Sequence, residues 1–179
     1  MAYVLPGKPV RHLHLAWHER LVEDWSLAGR WAIPAALPER LALVAGRCRL
    51  IAANHAAGLP VRYGIAWSGV AFDDAGRFAP PGGNFGRTCA TFVLDVFRLE
   101  GCELILAESW PRRNREEQQL VAIAEAIGPP IVAETMRREF AAGAARIMAH
   151  EVFGACLANT VPVPFELAAH LGTSATADL

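Results

Sequence analysis

Residues 10–18, Val-Arg-His-Leu-His-Leu-Ala-Trp-His, alternate with a period of two. Leu13, Leu15 and Trp17 fall on one face, and His12, His14, Ala16 and His18 on the other. This alternation predicts a strand with one side in a core and one side carrying imidazoles. Most other periodic segments are helical. Helices are expected over 38–57, 89–99, 115–128 and 131–158, and short strands over 61–67 and 102–106. The mixture predicts an α+β domain, a small antiparallel sheet with packed helices.

Local signals set the boundaries. Pro38 suits a first helical turn, and Gly58-Leu59-Pro60 ends that helix. Leu41, Val44, Cys48, Ile51 and His55 lie on one stripe of it, which makes Cys48 core filler. The run Ser26–Pro38 reads as a loop with two prolines, and Asp74-Ala75-Gly76 as a turn. Leu120, Ile123, Ala124 and Ile127 are expected to face inward. Gly143 and Gly154 are weak points in the last long helix. The 179 residues suffice for one core, expected over 1–170, with 171–179 as a small, polar tail.

Composition removes several function classes. A net charge of −1 gives no basic surface for nucleic acid. No apolar run is long enough to cross a bilayer, and the start resembles no signal peptide, so the cytoplasm is the expected compartment. Cys48, Cys89, Cys102 and Cys156 form no CxxC pair, which argues against zinc-ribbon, redox and disulfide readings.

Cys89 differs from the other three. The glycine-rich run Gly-Gly-Asn-Phe-Gly-Arg-Thr leads straight into it, and Thr88 is placed to cap the helix that it opens. A first helical turn offers free N–H groups and the positive end of the helix dipole, with Arg87 adjacent. Both favour a thiolate, and the same N–H groups suit an oxyanion. A base must come from elsewhere in the fold. Of the six histidines, His12, His14 and His18 sit on the rigid strand, His55 near a helix end, and His150 and His170 late in the chain.

Two segments carry a family resemblance. His14-Leu-Ala-Trp-His18 is similar to the histidine strand of NlpC-type cell-wall peptidases and lecithin retinol acyltransferase-like proteins. Thr88-Cys-Ala-Thr-Phe-Val-Leu-Asp-Val-Phe97 resembles their nucleophile helix. Here the histidine precedes the cysteine, as in the circularly permuted branch of this papain-like group. The resemblance implies a papain-like domain and a thiol hydrolase or acyltransferase acting on an amide, peptide or ester bond. Cys89 would be the nucleophile and His14 the base, with no cofactor and no metal. The substrate would be a small molecule, peptide or lipid. For the group's third polar position the options are Asp73, Ser68 and His18. His18 shares a face with His14 but lies roughly 13 Å along the strand.

Two other classes stand beside this one. His12, His14 and His18 could ligate a metal. The run resembles part of the HxHxDH signature of metallo-β-lactamase-like hydrolases, with Ala16 and Trp17 where that signature has its aspartate and last histidine. A non-catalytic binding or homo-oligomeric module would use exposed tryptophans among Trp17, Trp25, Trp31, Trp67 and Trp110.

Overall fold

A computed structural model describes residues 1–25, 40–65, 67, 70–80 and 86–177. Among them are a three-stranded antiparallel sheet and six α-helices, an α+β fold. No helix among the described residues is long and apolar enough to cross a membrane. The expected loop 26–38, with Trp31 and Pro38, lies outside the described residues, as does Ser68.

The sheet has the order β1 (Ala2–Tyr3), β2 (Arg11–Trp17), β3 (Arg20–Asp24). β2 follows the alternation of its sequence. Leu13 and Leu15 are buried while His12 and His14 are half-buried on the opposite face. The β2–β3 hairpin reverses at Glu19, a non-glycine residue at φ 55°. Its register pairs His12 with Asp24, His14 with Val22 and Leu15 with Leu21, then slips so that Trp17 meets Arg20. Such a bulge re-aims the side chains beyond it. Trp17 accordingly packs against Tyr63, with ring centroids 4.5 Å apart, rather than beside Leu13 and Leu15.

Helix α1 (Leu41–Ala56) buries Val44, Cys48 and Ile51, the expected stripe. Helix α2 (Cys89–Leu99) runs through the middle of the domain and touches β2, α1 and α5 (Ala149–Leu157). It is buried along most of its length, with Phe92, Leu94, Val96 and Phe97 in the core and Thr91 and Asp95 buried as well. Helices α3 (Asn114–Ile127) and α4 (Pro130–Ala141) pair with each other around a second core of Ile65, Leu120, Ala124, Val132, Met136 and Phe140.

Several expectations are corrected. The described residues of 61–67, and residues 102–106, form no regular strand. They make single bridges, Tyr63 with Arg87 and Ile105 with Val163, because each meets one partner residue: Arg87 bonds to Arg62 and Gly64, and Val163 to Leu104 and Leu106. The helix expected over 131–158 is two helices, α4 and α5, broken where Gly143 takes φ +96°. Ile123 and Ile127 are 50% and 69% exposed. Ile123 flanks the inward stripe of Leu120 and Ala124, and Ile127 ends the helix where the chain turns into α4. The segment 171–177 is the end of α6 (Phe165–Ala177). There a Cβ on Gly172 would lie 2.0 Å from the carbonyl oxygen of His150, and one on Gly154 2.0 Å from that of Ala168. The small residues bring α5 and α6 together at backbone distance.

Candidate functional site

Cys89 is the first residue of α2, as the cap signal predicts. Thr88 takes an extended backbone, its hydroxyl accepts from the amide of Thr91, and the Thr91 hydroxyl accepts from the amide of Thr88. This reciprocal cap is worth about 1 kcal/mol and fixes where the helix starts. Cys89 is exposed although Thr88 and Ala90 beside it are buried. Its amide and that of Ala90 fall in the turn whose N–H groups have no intrahelical acceptor.

The approach to Cys89 is braced from three sides. Arg87 is 1% exposed, and its Nε lies 2.5 Å from Oδ2 of Asp95, two turns along α2. Its charge is therefore spent inside the core rather than on the thiol, contrary to the sequence expectation. The amide of Gly86 donates to Oε1 of buried Glu139 on α4. Gly86 also packs on Tyr63 so closely that a Cβ there would lie 2.2 Å from the Tyr63 carbonyl carbon.

Opposite this turn stands the histidine face of β2. His14 and Cys89 line one cavity of about 800 Å³. Its walls are mainly apolar and include Leu5, Val44, Phe92, Phe97, Val152 and Phe153, with the segment Met1–Lys8 along one side. His12 lines it too, its ring stacked on that of His14 with centroids 4.7 Å apart and planes 24° apart. Asp24, across the hairpin, places Oδ1 3.8 Å from Nδ1 of His12. Ligand atoms of His12, His14 and Asp24 all lie within 4.8 Å of one another, and this trio could hold a metal ion.

The remaining sequence candidates lie elsewhere. His18 lines a separate cavity of about 320 Å³ with Arg62, Tyr63 and Arg138. Its Nδ1 accepts from the amide of Tyr63 at 3.2 Å, and burial holds its pKa below the usual histidine value. The imidazoles that gather around one carboxylate at the Cys89 cavity are thus His12 and His14, while His18 lies 3.8 Å from Glu19 elsewhere. Asp73 accepts from the backbone amide of Arg77 and pairs with its guanidinium at 2.7 Å. Those bonds hold its carboxyl below the usual range and close the turn predicted at Asp74-Ala75-Gly76. Neither residue borders the Cys89 cavity. Asp24 is the neighbour that sequence reading misses. The signal was the hairpin itself, since folding the chain about Glu19 sets residue 24 opposite residue 12, but Arg-Leu-Val-Glu-Asp is too charged to read as a strand.

Cys156 also borders this cavity, but none of the other cysteines is exposed at a helix N-terminus. Burial pushes the Cys48 and Cys156 thiols up to about 12, and Cys102 is buried. Among the tryptophans, Trp110 is buried with its indole N–H on Glu151 at 2.9 Å, whereas Trp25 is 61% exposed.

Comparison of the chain with protein-family models, with curated proteins and with solved structures finds no match in any of the three.

Proposed function

We propose that the protein is a thiol hydrolase or acyltransferase that cleaves an amide, peptide or ester bond through Cys89 and His14, on a papain-like fold in circularly permuted order. The observation that carries this reading is that an exposed cysteine at a helix N-terminus and a half-buried strand histidine line one cavity. The Cys89 sulfur attacks the carbonyl carbon as the thiolate, and His14 takes the thiol proton. Amides of the first turn of α2 receive the developing oxyanion. As the tetrahedral intermediate collapses, His14 returns the proton to the leaving group and a thioester remains. Water or another acceptor then attacks the thioester, giving up its proton to His14, and the cysteine is released. The apolar walls suit an acyl group with little charge, whose burial contributes about 0.8 kcal/mol per methylene. Four free cysteines suit a reducing compartment, which supports the cytoplasm as the site of action.

Brief alkylation of the native protein with iodoacetamide, mapped by mass spectrometry, tests the pair. Cys89 is expected to label first, and His14→Ala to slow it at neutral pH. Hydrolysis of a p-nitrophenyl ester is expected to vanish in Cys89→Ala. Labelling of Cys89 that ignores His14, with ester hydrolysis that survives Cys89→Ala, overturns the reading.

A further inference from the structure

The trio His12, His14 and Asp24 has a use beyond the thiol chemistry. We propose that it binds a zinc-class divalent cation, and that the bound ion holds the Cys89 site inactive by occupying the base. The second half rests on the reading above; the binding site does not.

The donor chemistry fits. Two imidazoles and one carboxylate are a ligand set that zinc takes readily, with a fourth position left for water. The hairpin supplies them from a rigid frame. His12 and His14 are two residues apart on one face of β2, and Asp24 is the cross-strand partner of His12. Their ligand atoms lie within 4.8 Å of one another, and the His12–Asp24 pair is already at 3.8 Å. Zinc–ligand bonds of about 2.0–2.1 Å in a tetrahedral arrangement bring donors to roughly 3.3 Å. Closing that difference requires one imidazole to turn about its Cβ–Cγ bond, because the rings now stack face to face. Both rings border the open cavity, which gives them room to turn.

The consequence follows from valence. A ring nitrogen whose lone pair is given to zinc cannot also accept the proton of the Cys89 thiol. The other nitrogen of a neutral imidazole carries the hydrogen and cannot accept a proton either, so His14 serves either the metal or the thiol. The ion needs no redox change and leaves no covalent product, so the block is reversible by a chelator.

The test titrates zinc chloride into metal-free protein in competition with a chromophoric chelator, for wild type, Asp24→Asn and His12→Gln. One tight equivalent per chain is expected, weakened at least tenfold in each variant. Thermal melts of the metal-free proteins confirm that each variant is folded, and the use of two variants keeps the test decisive if one is not. Iodoacetamide labelling of Cys89 is then timed with and without one equivalent of zinc. Zinc is expected to slow labelling about tenfold in wild type and to leave each variant at its own zinc-free rate. Equal affinity in wild type and both variants overturns the site. Tight, variant-sensitive binding that leaves Cys89 labelling unchanged overturns the inhibition. If metal-free labelling of Cys89 ignores His14, the hydrolase reading fails, while the chelator titration still decides the metal site.

Discussion

Arg87 and Asp95 meet inside the core at 2.5 Å, with 1% and 0% of their side chains exposed. The pair ties the residue two before Cys89 to the second turn of the helix that Cys89 opens. Asp95→Ala takes the carboxylate away from a guanidinium that is 1% exposed. Asp95→Ala should therefore destabilise the fold by about 3–5 kcal/mol. A urea melt checks this; a loss under 1 kcal/mol would refute it.

The four thiols should differ sharply in reactivity. Cys48 and Cys156 are held near 12 by burial, so almost none of either is thiolate at neutral pH. Cys89 is exposed. In native protein one fast-labelling cysteine is expected, and in denaturant four equivalent ones. Comparable native rates for Cys89 and Cys48 would contradict the burial pattern.

His18 makes stability depend on pH. Its Nδ1 must be unprotonated to accept the Tyr63 amide, and burial, then Arg62, lower its pKa while Glu19 opposes them. The unfolded chain takes up the proton first, near pH 6.5. The stabilisation is therefore complete above that pH and is lost as pH falls toward the lower folded value. In His18→Asn, whose side-chain carbonyl can accept the same amide, stability should fall less between pH 7.5 and 5. Parallel curves from denaturant melts would refute the assignment.

Gly154 and Gly172 set the approach of α5 to α6. A methyl group at either lands 2.0 Å from a carbonyl oxygen, and backbone cannot yield as a side chain does. Gly154→Ala and Gly172→Ala should each cost about 2–3 kcal/mol by overpacking. Because Val152 and Phe153 on α5 wall the Cys89 cavity, both variants should also alter Cys89 labelling. Melts and labelling rates within error of wild type would show that the helices can part freely.

What the sequence disclosed was mostly local. Helix α2 was legible because its cap, its period and its Gly101 stop lie within one short window. The strand face of β2 was legible because alternation needs no partner. Pairing was not. The third sheet element, Arg-Leu-Val-Glu-Asp, carries charge at three of five positions, so only its register against β2 identifies it. The apolar runs at 61–67 and 102–106 read as strands, since periodicity cannot tell a ladder from a lone bridge. Gly172 looked like part of a loose end because its reason for being small is the backbone of the preceding helix, which no local pattern reveals.

Glu139 brings time into the assembly of this site. Its two carboxylate oxygens take the amides of Ile65, 74 residues earlier, and Gly86, 53 residues earlier. A chain growing from its N-terminus makes Cys89 long before it makes this clamp. Contacts of such long sequence separation form late. The last of the three braces on the segment leading to the thiol is thus added only after α4 has been synthesised and docked, so during synthesis the nucleophile is present before its setting is complete.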